Sequence, residues 1–307
     1  MPLQSRQKKA LAAKLGRDPN LYCCYPQPHF PTLSITGDHC AQQCKHCSRH
    51  YLRSMTPCVT PDDLVKRCSE LASGGVRGLL LSGGYNSEGY VPFVPFLDAI
   101  VKVKRDTGLF ISAHTGLVPN GLARELGRVG VDLADFDLIG DDETIRLVIG
   151  TDWVVADYRR ALLALDKSLP HVVPHVCVGL HAGKLRGEIR ALDMAAEVAP
   201  QVLVLLALIP TPGTAFAGVE PPSPADLAKI VAEARLKLPD SHIALGCMRP
   251  RGQRRAQMEL AALRSGVDRM VMPMKGTIDE ARNLGLAIRR LNACCSVPIS
   301  WGVAHGD

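Results

Sequence analysis

Cys40, Cys44 and Cys47 stand in the order C-x3-C-x2-C, directly after a short apolar run at 33–35. Three thiolates on one tight loop suit three irons of a [4Fe-4S] cube and leave the fourth iron without a protein ligand. Two other chemistries use clustered cysteines. A structural zinc site takes four ligands, and His39 or His46 is at hand as the fourth. Bacterial ferredoxins use a run ending in Cys-Pro, whereas Ser48 follows Cys47 here.

Other reactive side chains recur at regular intervals downstream. Ser82-Gly83-Gly84-Tyr85 carries a glycine pair that lets backbone approach a ligand closely. Ser112 and His114, Asp135 and Asp137, and Cys177 with Gly179 and Leu180 each close an apolar run; Gly246-Cys247-Met248-Arg249-Pro250-Arg251 closes another. Alternation along a strand sends Asp135 and Asp137 to the same side. Adjacent cysteines occur near both chain ends, as Cys23-Cys24 and Cys294-Cys295.

These residues need a scaffold, and the apolar pattern supplies one. Residues 4–15 read as a basic amphipathic helix, and 18–31 as an irregular segment carrying Cys23 and Cys24. Apolar strand candidates follow at 32–36, 77–82, 109–114, 132–139, 172–180, 202–209, 242–247 and 269–273, each trailed by a helical stretch. Thr60-Pro61-Asp62-Asp63 and Ser223-Pro224-Ala225-Asp226 supply an N-cap, a proline at the first helical position and acidic residues in the first turn. Nearly continuous apolar strands, such as 202–209, imply burial on both faces and hence a parallel sheet. Eight unbroken β/α units favour an α/β fold of the closed (β/α)8 TIM-barrel type over an open doubly wound sheet. The expected division is an N-terminal helix and Cys-bearing extension at 1–31, a barrel at 32–291 and a Cys-bearing tail at 292–307. Active-site groups of such barrels gather at the C-terminal strand ends, where the motifs above fall.

Composition narrows the classes. Of 307 residues, 47% are apolar and 21% charged, enough for a large core. No stretch approaches the roughly 20 apolar residues of a membrane span, and the first fourteen residues are basic without a signal-peptide core. A cytoplasmic setting is expected. Eleven cysteines in so long a chain suit a reducing compartment and metal clusters better than a disulfide framework. A net charge of +6 is too modest to argue for nucleic acid.

The three-cysteine loop after a first strand resembles the radical S-adenosylmethionine (SAM) superfamily, in which the open iron is chelated by the amino and carboxylate groups of SAM. The residue before the third cysteine is usually aromatic in that family and is His46 here. The segment Ser82-Gly83-Gly84 resembles the Gly-Gly-Glu motif that holds the SAM amino group, with Tyr85 in place of glutamate and Asn86 or Glu88 left to assist. The resemblance implies that Asp137 binds the SAM ribose and that Gly179 and Leu180 lie along the adenine. The Pro-rich loop 209–214 is similar to one in biotin synthase, and together these likenesses cover roughly residues 30–290 and imply the biotin-synthase-like branch. His114, Arg249 and Arg251 are the candidate substrate contacts.

Biotin synthase also carries a sulfur-donating cluster inside its barrel. The matching positions look like Ser82 and Ala113, with Cys177 and Arg249 retained, so two ligands are missing. The remaining Cys23, Cys24, Cys247, Cys294 and Cys295 are five candidates, four of which would hold a different, auxiliary [4Fe-4S] cluster. In this the chain most resembles the two-component, archaeal-type lipoyl synthases. That likeness implies reductive cleavage of SAM to methionine and a 5′-deoxyadenosyl radical. The radical takes hydrogen from C6 or C8 of an octanoyl chain on a carrier protein or peptide, and sulfide from the auxiliary cluster is inserted. A companion radical SAM protein and a reductant such as ferredoxin or flavodoxin are implied partners. Two rivals stand beside it: a single-cluster enzyme of the same branch, such as a mutase or cofactor-maturation enzyme, and a non-enzymatic iron–sulfur redox carrier. One geometric difficulty attends the auxiliary cluster. In a regular barrel the last helix returns to the N-terminal face, which would start Cys294 on the side opposite Cys247.

Overall fold

The computed structural model describes residues 2–304. Its strands are β1 (Asn20–Cys24), β2 (Thr32–Ser34), β3 (Thr56–Pro57), β4 (Gly78–Ser82), β5 (Phe110–His114), β6 (Leu133–Asp137), β7 (His171–Val178), β8 (Val202–Ala207), β9 (His242–Leu245), β10 (Arg269–Val271) and β11 (Ala287–Leu291). The helices are α1 (Leu3–Arg17), α2 (Pro61–Ser73), α3 (Leu97–Thr107), α4 (Asn120–Arg128), α5 (Asp142–Val148), α6 (Val155–Asp166), α7 (Glu188–Ala196), α8 (Pro224–Lys237), α9 (Gln253–Leu263), α10 (Lys275–Asn283) and α11 (Ile299–Ala304). All strands pair in parallel, in the order β11-β1-β10-β9-β8-β7-β6-β5-β4-β2-β3, and the sheet curls into a half-barrel.

The eight expected strands are all present in chain order, from β2 and β4 through β10. Both expected caps form. Thr60 Oγ1 accepts from the Asp63 amide at 3.1 Å and Ser223 Oγ from the Asp226 amide at 3.1 Å, with each aspartate returning the bond to the cap amide. Such caps stabilise a helix by about 1 kcal/mol.

Three strands escape the apolar pattern, and each has a physical reason. Segment 18–31, expected to be irregular, contains β1, seated between β10 and β11. Its five residues are flanked by Pro19 and Pro26, which hide it from a window-based reading. β11 carries Arg289 and Arg290 and is mostly solvent-facing, as an edge strand protected from further pairing must be. β3 is a two-residue edge strand, and among the described residues it does not pair with β11, so the sheet is open where a closed barrel was expected.

Alternation divides the core into two layers. Leu203 and Leu205 face the helices, whereas Val202 and Val204 join Phe110, Leu133, Val173, Ala244, Val271 and Leu291 inside the barrel. The tail after β11 enters that interior: Ala293, Cys295 and Val297 are buried there. Trp301 closes the N-terminal end, its ring 5.0 Å from Phe110 and 6.0 Å from Phe30 between centroids. Gly78 leaves room for this seal, since a Cβ there would lie 2.7 Å from Phe30 and 3.0 Å from Trp301. α10 does return to the N-terminal face, but β11 then climbs beside β1, so Cys294 begins at the mouth, the end where Cys247 lies.

Candidate active site

The cysteine loop is held against the turn after β4. Thr36 Oγ1 accepts from the Gly84 amide at 2.7 Å, the Tyr85 amide donates to Cys40 Sγ at 3.3 Å, and the Ala41 amide donates to the Tyr85 carbonyl at 2.7 Å. A Cβ on Gly84 would fall 2.0 Å from the His39 carbonyl oxygen and 2.5 Å from Cys40 Cβ. The glycine is therefore required by the cluster loop itself. Within the loop the Cys47 and Ser48 amides donate to the Cys44 carbonyl at 3.0 and 2.9 Å, and Ser48 and Arg49 take left-handed φ values of 44° and 64° to complete the turn.

Cys40 and Cys47 both lie near Cys44. Burial pushes the Cys44 thiol up to about 12, and the adjacent Cys47 and then Cys40 push the same way. Burial also raises Cys47, partly offset by the Arg49 and Tyr51 backbone. Such thiols stay protonated at neutral pH unless a cation takes the proton's place, which is what thiolate–iron ligation does. The donor set is all sulfur, with backbone N–H groups directed at it. His39 and His46 do not complete a four-ligand site: among the described residues no tetrahedral Cys/His group is formed. The residues present thus fit a three-thiolate iron–sulfur site with an open iron.

The expected SAM-contacting residues border this loop. Ser82 ends β4 and is buried, with Gly83 and Gly84 after it; Asp137 ends β6 and is exposed. Asp137 lies close enough to Cys44, Cys177, Tyr85 and His46 to influence the titration of all four. Gly179 has φ +74°, no space for a Cβ against Pro222, and an amide that donates to Glu188 Oε1 at 2.8 Å. Leu180 is half-buried beside it. Asn86 caps its own turn, accepting from the Glu88 and Tyr90 amides at 3.1 Å each, while Glu88 pairs with the Tyr90 hydroxyl. Tyr85, half-buried, stands at the position of the motif glutamate.

Of the five remaining candidate cysteines, four gather. Cys24 ends β1 facing inward, opposite Val271 and Leu291. Burial pushes its thiol up to about 12, with Arg269 opposing and Cys294 reinforcing. Cys294 Sγ lies 3.2 Å from Ser296 Oγ; the adjacent Cys294 and Cys295 thiols act on each other so that Cys294 is lowered and Cys295 raised, and Cys295 is raised further by burial and by Cys24 and Cys247. Cys247, just past β9 and exposed toward the mouth, is raised by its enclosed surroundings and by Cys294. Cys23 points the other way, into the helix-side core, where its charged neighbours are Arg282, Arg290 and Glu259.

The substrate candidates separate. His114 ends β5 half-buried, edge-on to His175 with ring centroids 5.6 Å apart. Arg249 is turned into the scaffold, donating to Glu259 Oε1 at 2.8 Å and to the Gly246 and Val271 carbonyls at 2.6 Å each. Arg251 is exposed, and near enough to Tyr51 to oppose in small part the upward shift that burial gives the Tyr51 hydroxyl. Sequence reasoning did not single out Tyr51 or His175, and it named Asp135 without assigning it a site. Tyr51 bonds Thr211 at 2.6 Å, tying the Pro-rich loop to the cysteine loop. Asp135 is buried in the barrel, accepting from Ser112, with His175 Nε2 3.7 Å from its Oδ1, an oxygen that has no hydrogen-bond partner among the described residues. Equal parity on adjacent strands (Ser112 and His114, Asp135 and Asp137, His175 and Cys177) was the available signal.

Residues 34–184 match the radical SAM superfamily, a span that starts on β2 and includes Cys40, Cys44, Cys47, Gly84 and Asp137. The chain carries a radical SAM domain. Its sequence relatives include the biotin synthase of Halorhodospira halophila, 27% identical over 246 residues covering 75% of this chain and 71% of the relative. The biotin synthase of Acidithiobacillus ferrooxidans is 25% identical over 245 residues, 77% of this chain and 74% of the relative. The radical SAM fold recurs in two solved structures. Methylornithine synthase aligns with a TM-score of 0.63 and 16% identity over 94% of this chain and 89% of that one. The FeFe-hydrogenase maturase HydG from Carboxydothermus hydrogenoformans aligns with 0.68 and 15% over 96% and 73%. Over most of its length the chain is thus similar to biotin synthases. No helix among the described residues is long and apolar enough to cross a membrane.

Proposed function

We propose that the protein is a sulfur-inserting radical SAM enzyme of the lipoyl-synthase type, acting at C6 or C8 of a protein-bound octanoyl chain. The observation that carries this reading is the convergence of Cys24, Cys247, Cys294 and Cys295, drawn from both chain ends and from the β9 terminus, on one place in the barrel. Four thiols near enough to influence one another offer a ligand set for a [4Fe-4S] cluster, and Cys247, like the Cys40–Cys44–Cys47 loop, follows the C-terminal end of a strand. A site with one open iron and a second site with a full thiolate set, both in one barrel, suit a radical generator and a sulfide source.

When bound, the cluster at the open site supplies the electron that cleaves SAM. The chain's own residues do the rest in this reading. Gly84 lets the loop approach, Asp137 accepts hydrogen bonds from the ribose, and Gly179 and Leu180 line the adenine. The Trp301 seal excludes water from below, and Arg251 presents positive charge to an acidic carrier domain. An octanoylated carrier, a companion radical SAM protein and a ferredoxin- or flavodoxin-like reductant are the partners it requires.

The test is mass spectrometry of an octanoyl-lysine peptide incubated with reconstituted protein, SAM and reductant, with and without the companion. A sulfur-sized mass gain is expected; no gain under either condition would remove this reading. One observation favours a second reading, a single-cluster mutase. The buried Asp135 carboxylate with its unpartnered oxygen suits a polar substrate, and in that case 5′-deoxyadenosine would form with only four irons per chain, the complement of one such cluster.

A further inference from the structure

Arg269 opens β10 with its side chain inside the barrel and 1% of the residue exposed. Its Nη1 donates to the carbonyls of Cys295 at 2.8 Å and Val297 at 2.6 Å, whereas its Nε–H has no partner. No carboxylate pairs with it among the described residues. The neighbouring Asp268 is already held by Lys14 at 2.9 Å, by Arg17 at 2.6 Å and by Arg235. A buried cation without a counter-charge carries a desolvation cost of several kcal/mol. Cys24 stands on the neighbouring strand β1, which pairs with β10 so that Tyr22 is opposite Arg269 and Cys24 opposite Val271, and Cys295 supplies one of the two carbonyls that Arg269 holds. As thiols these cysteines bring no charge; as iron-bound thiolates they bring a net negative one.

We propose that Arg269 is the counter-charge of an iron–sulfur cluster held by Cys24, Cys247, Cys294 and Cys295, and the clamp that positions the Cys295–Val297 backbone for it. This rests on the auxiliary-cluster reading above. Arg269 is a positioning residue whose buried charge favours the reduced, more negative state of that cluster, because charge and hydrogen bonding around a cluster set its potential. The buried arginine just past β9, Arg249, has no such freedom, since Glu259 neutralises it.

The experiment uses full-length protein with Cys40, Cys44 and Cys47 replaced by alanine, reconstituted anaerobically and titrated electrochemically with electron paramagnetic resonance detection. Arg269→Gln is expected to shift the remaining cluster to a more negative potential. Arg269→Lys, which keeps the charge but shortens the reach, is expected to shift it less in the same direction. An unchanged potential in the Gln variant at full iron content would overturn the proposal, as would equal shifts in the two variants. Should the Gln chain not fold, Arg269→Met, which also removes the charge, takes its place, and no shift at full iron content overturns the proposal. If the triple-alanine protein with Arg269 intact binds no cluster, the auxiliary-cluster reading itself has failed, and the Arg269 proposal falls with it.

Discussion

Gly84 lies so close to His39 that an added Cβ would stand 2.0 Å from the His39 carbonyl oxygen. The contact is backbone against backbone, so neither side can rotate away. Overpacking of this kind costs about 1–3 kcal/mol, and here the cost falls on closure of the cysteine loop. Gly84→Ala is expected to lower iron retention at Cys40, Cys44 and Cys47 by roughly tenfold or more, the equivalent of about 1.4 kcal/mol upward. Iron assay and visible absorption of protein lacking Cys24, Cys294 and Cys295 would measure it; full iron content would contradict this role of the glycine.

The opposed directions of Cys23 and Cys24 give a paired test of the second site. Cys24→Ala is expected to remove roughly half the iron of the reconstituted protein, one cluster of two, while Cys23→Ala retains it. Cys23 is a small buried residue packed on the helix side, so its loss should cost only packing. Equal iron content in the two variants would contradict the assignment of Cys24.

Asp137 is expected to act on SAM and not on iron. A hydrogen bond to a charged group contributes about 1.5–3 kcal/mol, so Asp137→Asn should weaken SAM binding by roughly ten- to a hundredfold with iron content unchanged. Equilibrium dialysis with labelled SAM reads the first quantity and iron assay the second.

Asp268 ties α1 to the barrel. Burial by itself would raise its carboxyl, but Arg235, then Lys14, then Arg17 reverse this and hold it below the usual carboxylate range. A folded-state value below the unfolded one means stability that is present above the unfolded value, about 3.9, and lost as pH falls through the folded one. Urea midpoints of the wild type should therefore drop below about pH 4. Asp268→Asn leaves buried cations without a partner, so a loss of about 3–5 kcal/mol is expected at neutral pH, with a weaker acid dependence. A variant as stable as the wild type at pH 7 would show that the network does not support the fold.

The two arginines after β9 should separate stability from recognition. Arg249→Ala strands Glu259 and two carbonyls and is expected to lower the melting temperature, whereas Arg251→Ala should leave it unchanged and weaken carrier binding. Thermal melts and binding of an acidic octanoylated domain at two salt concentrations would distinguish them, since an exposed charge is screened by salt.

Much of this was legible in the chain itself. Cys40, Cys44 and Cys47 are local, so their spacing alone defined a three-thiolate loop; the eight apolar runs and the Thr60 and Ser223 caps likewise act over a few residues. Tertiary structure decided what depends on residues distant in the chain. β1 and β11 have weak patterns of their own, one enclosed by prolines and one charged along an exposed edge, and each becomes a strand through pairing with the other. That pairing turns the tail inward and brings Cys294 and Cys295 to Cys24, more than 250 residues away in sequence. The same folding separates Cys23 from Cys24, because adjacent residues of a strand face opposite sides. It also places Arg269 among the thiols, a contact that no spacing in the sequence encodes.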